Sequence, residues 1–335
     1  MKKKKIKEIF VTGGAGYIGS HCVVMLVKNG FTPIIIDNFS NSYPSVIKKI
    51  ELIIKKKIIF YNIDLKNKKK LNKIFKKHNC YSVIHCAGYK AVGESIVKPI
   101  SYFENNIGST LSLLECMNEN NVHKIIFSSS AVVYNEGQTI YLNENRKIGK
   151  TINPYGNSKY IIERILKDIA KHNKKWNISI ARYFNPISNH PSGLIKENPK
   201  GIPNNLIPIL IKVAQKKIPL LKVFGKNYNT KDGTCVRDYI HVMDLANGHI
   251  SILKNTVNKN GFNVFNFGTG RGSTVLEVIN AFERQTGKSI TYKFSKRRDG
   301  DVTHSVCSPK KAIRELKWKA KYDLDQSMFD IKNII

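Results

Sequence analysis

A short apolar run, Ile6–Thr12, leads straight into Gly13-Gly14-Ala15-Gly16-Tyr17-Ile18-Gly19. Few arrangements tolerate that succession. Glycine lets the chain turn sharply where a side chain would collide, and lets the backbone come close to a bound group. Tyr17–Asn29 then has helical character and stops at Gly30, and Thr32–Ile36 reads as a second strand ending at Asp37. Strand, glycine turn, helix and strand make a βαβ unit. Its helix begins at the turn and offers free N–H groups and a positive dipole end to phosphate. An acidic residue closing the second strand can bond both hydroxyls of an adenosine ribose. It would repel a 2′-phosphate, and no arginine stands beside Asp37. The motif therefore predicts a dinucleotide site selective for NAD over NADP. A tight βα turn without a ligand is the plainer alternative, but it leaves the placing of Asp37 unexplained.

Further strands are expected at Ile58–Ile63, Ser82–Cys86, Lys124–Ser129 and Ile178–Tyr183. Helical segments separate them at Lys68–Asn79, Phe103–Asn118 and Gly156–His172. This alternation predicts an α/β fold, a Rossmann-type doubly wound parallel sheet with a smaller C-terminal substrate-binding domain. The expected division is 1–185 for the NAD-binding domain, with returning segments near 238–270, and 186–335 for the smaller domain. Pro, Asn and Gly become frequent through Pro186–Asn205, where a loop-rich region would begin. A length of 335 residues fits one large domain or two ordinary ones.

The net charge of +32 comes from 47 Lys against 9 Arg, in a chain that also holds 45 Ile. Lys, Asn and Ile share AT-rich codons, and the lysines are spread over the whole chain. Genome bias accounts for them better than nucleic-acid binding, so no nucleic-acid partner is expected. No apolar run approaches the roughly 20 residues of a membrane helix, and Met1–Lys5 is followed by charged residues rather than an apolar signal core. The expected location is cytoplasmic, with no membrane partner. The six cysteines form no CxxC pair and read as scattered reduced thiols, with no metal site expected.

Tyr155 and Lys159, four apart at the start of a helix, share one face. A free tyrosine titrates at about 10, and each unit of lowering is worth about 1.4 kcal/mol. An adjacent ammonium and a positive nicotinamide ring both favour phenolate, which would make Tyr155 a base. Ser130, at the end of a strand, is expected beside it to hold a substrate hydroxyl. A Tyr-x-x-x-Lys on a helix is usually structural. Behind a dinucleotide motif, with serines at a strand end upstream, it reads as catalytic.

These residues resemble the extended short-chain dehydrogenase/reductase family, and within it the enzymes that epimerise UDP-sugars at C4. The likeness rests on Val11–His21, Lys90–Ser95, Phe127–Ala131, Arg182–Pro186, Gly201–Leu206 and Asp232–Val242, and spans about residues 7–330. It implies interconversion of UDP-galactose and UDP-glucose through a 4-keto intermediate, with tightly bound NAD and a homodimer. It assigns catalysis to Tyr155, Lys159 and Ser130. Cofactor contacts would come from Gly13, Gly16, Tyr17, Ile18, Gly19, Asp37, Asn38, Phe39, Ser40, Asn41 and Ser42. Asp64, Leu65, Cys86, Ala87, Gly88, Tyr89, Lys90, Asn105 and Phe184 would complete that site, with Ser130, Tyr155 and Lys159. The UDP-sugar would meet Ser130, Tyr155, Asn185, Asn205, Leu206, Phe224, Arg237, Arg298, Asp301 and Ser305. Arginines suit a pyrophosphate and an aromatic face suits uracil.

The sequence departs from the family pattern at Cys86, Tyr89 and Asn135, which bears on packing around the cofactor. Ser305 stands where many bacterial members carry a tyrosine, so UDP-N-acetylhexosamines are expected to fit as well. A 4,6-dehydratase needs an acid/base pair after the serine, whereas Ser130 is followed by Ala131-Val132. A UDP-glucuronate decarboxylase is disfavoured by Asn204-Asn205-Leu206. A silent nucleic-acid binder is disfavoured by the intact Tyr155, Lys159 and Ser130.

Overall fold

In a computed structural model the described residues are 7–135, 140–201, 205–256, 259–298 and 301–335. Seven parallel strands form the main sheet, in the order Gly261–Phe267, Asn177–Tyr183, Lys124–Ser130, Cys80–His85, Glu8–Thr12, Thr32–Asp37 and Ile59–Asn62. The chain starts at Glu8–Thr12 and winds outward in both directions, so the strand order reverses between Glu8–Thr12 and Cys80–His85. A crevice opens at such a point, outside the carboxyl ends of the strands.

The period-2 alternation of each strand divides the core. Ile9 and Val11 face one way, onto the helix Tyr17–Lys28 through Val23, Val24 and Leu26 and onto the helix Val242–Asn255 through Ile250 and Leu253. Phe10 faces the other way, onto Leu71 and Phe75, Leu113 and Met117, and Ile162 and Leu166 of three more helices. Helices thus cover both faces, as the doubly wound reading requires.

A third core, built on Leu210, Val278, Phe282, Met328 and Ile331, belongs to the later part of the chain. There the strand Val236–His241 pairs with Gly272–Thr274, with His304–Cys307 and with Asn185–Ile187. Between Val236–His241 and Gly272–Thr274 the chain comes back through the helix Val242–Asn255 to lay Gly261–Phe267 on the edge of the main sheet.

Several elements differ from expectation. The segment Phe103–Asn118 is not one helix: Pro99–Phe103, a π-helical turn at Glu104–Gly108 and Ser109–Glu119 follow one another. The expected Gly156 start moves back to Pro154, because Asn153 caps the first turn by accepting from Gly156 N at 2.8 Å and proline suits the first helical position. The helix Ser45–Ile54 has no counterpart in the sequence reading, its isoleucines suiting a strand equally well. Ile6, the expected start of the first strand, and Ile202–Asn204 of the Gly201–Leu206 segment lie outside the described residues. Among the described residues no helix is long and apolar enough to cross a membrane.

Candidate active site

The glycine turn is closed from three sides. Gly13 has φ +67° and donates its N–H to Ile36 O at 2.9 Å. A Cβ there would stand 2.7 Å from Ala87 N, so the turn and the segment Cys86–Gly88 fit only without a side chain. Gly16 caps the helix Tyr17–Lys28 with no side-chain bond, leaving the first-turn N–H groups turned toward the crevice. Asp37 is buried and fixes the surrounding loops: Oδ2 accepts from Ala15 N at 2.9 Å, and Oδ1 from Phe39 N at 2.8 Å and Ser42 Oγ at 3.0 Å. Phe39 takes φ +54° and buries its ring, while Ser40 N bonds Asn38 Oδ1. Asn38 also donates to Asp64 at 3.1 Å. Asn41 accepts from Lys200 N, and the Lys200 ammonium reaches Phe39 O at 2.6 Å. Leu65 is buried in the core beneath.

On the opposite wall Asn106 grips the turn after Gly88. It accepts from Tyr89 N at 2.7 Å and donates to Tyr89 O at 3.1 Å and to Ser158 Oγ at 3.0 Å. Its neighbour Asn105, the residue named from the sequence, donates to Asn106 Oδ1. Both sit in the π-helical turn, a device common at functional sites. Lys90 pairs with Glu197, which also accepts from Asn205 Nδ2 at 2.8 Å. The Lys90 ammonium also lies 5.7 Å from the ring centre of Tyr17, whose hydroxyl donates to Ser188 O at 2.7 Å.

Tyr155 and Lys159 lie in the first turns of the helix Pro154–His172, where the Asn153 cap and Pro154 set the register. The Ser130 hydroxyl stands close enough to the Tyr155 phenol to favour its ionised form. Lys159 is buried, donates to Ser128 O at 2.8 Å, and stands 3.6 Å from the place a Gly88 Cβ would occupy. Burial draws its ammonium down to about 8, opposed by Cys86 and Glu163. For Tyr155 the direction differs from the sequence expectation. Burial raises the phenol above its ordinary value, and the Ser130 hydroxyl only partly offsets this. The chain by itself therefore holds Tyr155 protonated, and the remaining cation of the expected pair is the nicotinamide ring.

Behind these groups Glu163 accepts from Arg182 Nε at 3.0 Å and Nη2 at 2.6 Å and from Ser129 Oγ at 2.5 Å, tying the helix to two strands. Thr12, His85 and Thr110 form a second buried chain, at 2.7 and 2.9 Å. The sequence reading missed Asn106, Glu163, His85 and Glu197, because their partners are remote in the chain. Asn153 was open to it, since Asn-Pro is a helix-start signal.

The candidate substrate groups occupy looser ground. Phe184 is buried and donates its N–H to Phe267 O, whereas Asn185 is exposed. Asn205 and Leu206 open the helix Leu206–Ala214. Arg237 donates to Val236 O and Val302 O, both at 2.8 Å, and to Asp301 at 3.1 Å. Ser305 lies opposite Arg237 on the neighbouring strand. Arg298 sits 3.9 Å from the ring centre of Phe224, so the aromatic expected to receive uracil carries an arginine on one face.

The family model described as GDP-mannose 4,6 dehydratase matches residues 10–331. The UDP-glucose 4-epimerase of Dictyostelium discoideum is 49% identical over 324 residues, covering 96% of this chain and 94% of that protein. A crystal structure of UDP-glucose 4-epimerase from Bifidobacterium longum in complex with NAD+ and UDP superposes with a TM-score of 0.94 at 44% identity, over 98% of each chain. The UDP-Glc/GlcNAc 4-epimerase of Campylobacter jejuni superposes with a TM-score of 0.85 at 32% identity, again over 98% of each chain.

Proposed function

The chain belongs to the UDP-glucose 4-epimerase family within the extended short-chain dehydrogenase/reductases, and from that premise we propose that it interconverts UDP-galactose and UDP-glucose with tightly bound NAD. The observation that carries the reading is Lys159, one turn along the helix from Tyr155, held by Ser128 O at 2.8 Å beside Gly88. The cradle fits the cofactor: a positive-φ glycine that admits no Cβ, an uncapped helix start and a buried Asp37. Gly13, Gly16, Tyr17, Ile18 and Gly19 would take the pyrophosphate end, and Asp37 the adenosine ribose. Bound NAD supplies the redox partner that accepts hydride from the sugar C4 and gives it back to the other face.

The chain's own residues manage the proton and the geometry. Ser130 holds the sugar 4-hydroxyl, and Tyr155 removes its proton as C4 is oxidised. The Lys159 ammonium, fixed by Ser128 O beside Gly88, would hold the nicotinamide ribose. The planar 4-keto sugar turns over while its UDP stays bound by Asn185, Asn205, Phe224, Arg237, Arg298 and Asp301. Tyr155 then returns the proton, so the redox change closes within one turnover. Ala131 and Val132 after Ser130 offer no acid/base pair for dehydration. Incubating the purified protein with UDP-galactose and no added cofactor should yield UDP-glucose; no product would overturn the reading.

Residues 1–185 with 238–270 would form the cofactor domain, and 186–335 the sugar-nucleotide domain. Ser305 leaves space where a tyrosine would crowd an N-acetyl group, so UDP-N-acetylglucosamine should also turn over. Ser305→Tyr should remove that activity and keep the other; an equal loss of both would refute the assignment. A homodimer is supported by Ile96, Val97 and Ile100, which lie largely exposed on the helices Val92–Val97 and Pro99–Phe103 beside the Tyr155 helix. A cytoplasmic location agrees with the six free cysteines.

A further inference from the structure

We propose that Cys22, Cys86 and His249 form a binding site for a soft divalent cation, zinc foremost, whose occupation arrests the enzyme from behind the cofactor cradle. The three residues are far apart in sequence, yet their donor atoms all lie within 4.8 Å of one another. Cys22 comes from the helix that starts at the glycine turn, Cys86 from the end of the strand Cys80–His85, and His249 from the helix that returns to the main sheet. In a tetrahedral zinc site the donors stand roughly 3.5–3.8 Å apart, as the bond lengths dictate. Adjustment by about 1 Å would bring the three donors to bonding distance, with the fourth position left to water.

His249 is prepared for this role. Its Nδ1 faces Leu245 O at 2.9 Å, and a carbonyl can only accept, so that nitrogen carries the hydrogen. Nε2 therefore holds a lone pair, at present accepting from the Tyr183 hydroxyl at 2.6 Å. A ligand histidine that donates its other N–H to a backbone carbonyl is the usual arrangement at metal sites.

Charge balance favours a divalent ion. Cys22 and His249 are fully buried, where a single thiolate would be expensive. Two S–H groups that lose their protons to solvent as a cation of charge two binds their thiolates leave the buried cluster with no net charge. Entry is by way of Cys86, which is partly exposed at the floor of the crevice. Arrest follows from packing: a Gly13 Cβ would lie 2.9 Å from the Cys86 carbonyl carbon, so a pull on Cys86 shifts the floor directly under the glycine turn.

The test uses the NAD-bound enzyme, freed of adventitious metal with a chelator and titrated with Co2+. Saturation at one cobalt per chain is expected, with thiolate-to-cobalt charge-transfer bands and Cys86, the partly exposed thiol of the pair, closed to alkylation. This readout does not depend on the proposed reaction. UDP-galactose turnover should be lost as the bands grow and return with chelator. Cys22→Ala should keep turnover, lose the bands and resist cobalt, and His249→Gln should weaken binding about 10–100-fold. The alkylation readout on the unaltered protein stands even if a variant fails to fold. Absence of the bands, or equal inhibition of Cys22→Ala, overturns the proposal.

Discussion

The cofactor side and the substrate side of the crevice are built differently. On the cofactor side the polar groups are committed to the scaffold: Asp37 accepts three hydrogen bonds at the end of its strand, and the Asn106 side chain makes four, to Tyr89, Asn105 and Ser158. On the substrate side the arginines already have partners within the chain, Arg237 in Asp301 and two backbone carbonyls and Arg298 in the face of Phe224. The first arrangement holds its shape before anything binds, which suits a group retained through many turnovers. The second keeps its arginines occupied until an anionic diphosphate replaces the internal partners, which suits a ligand that arrives and leaves.

The contrast can be broken where it is sharpest. Tyr155→Phe should lower turnover by about 10²–10⁴-fold, the range for a positioned proton-transfer group, while the circular dichroism spectrum and retained NAD stay unchanged. A small loss would mean another group moves the proton. Gly13→Ala should yield protein free of dinucleotide, with stability reduced by about 1–3 kcal/mol, because φ +67° and the nearby Ala87 N both oppose a Cβ. Extraction of the bound cofactor and a thermal melt read the two effects. Arg237→Ala should raise KM by about 10–100-fold with kcat little changed, as expected for a charged hydrogen bond to substrate. A fall in kcat with KM constant would move Arg237 out of the substrate side.

A further effect is a pH dependence carried mainly by the cofactor half, with His190 drawn down likewise on the substrate side. His21 and His85 are drawn down to about 3 and His249 to about 4, each mainly by burial. An unfolded histidine titrates at about 6.5, so between these values the unfolded chain binds more protons. Stability is complete above about pH 6.5 and falls as the pH drops toward 4. Melting curves from about pH 7 to 5 should fall steadily, with cofactor release tracking the loss. A flat profile would mean these rings are not held neutral.

How much of this was legible in the sequence follows from how local each demand is. Gly13, Gly16 and Gly19 announce themselves because a backbone turn constrains its own residues. Tyr155 and Lys159 do so because four residues span one helical turn. Asp37 is legible because strand ends can be counted. Asn106 was passed over for Asn105, since a π-helical turn changes which of two adjacent side chains faces Tyr89. Glu197 joins Lys90 to Asn205 across more than a hundred residues, and the grouping of Cys22, Cys86 and His249 exists only once three elements meet. The raised titration of Tyr155 was equally hidden, because burial is a property of the assembled fold.

The strand Gly261–Phe267 closes the edge of the main sheet only after the chain has left it and come back. During synthesis the fully buried strand Asn177–Tyr183 must therefore wait, with one row of backbone donors and acceptors open, until some eighty further residues have emerged. A fragment ending near residue 185 would carry that edge permanently and offer it to its neighbours. The nascent chain's greatest exposure to aggregation thus falls while its sugar-nucleotide half is being made, and the later half acts as the earlier half's chaperone in cis.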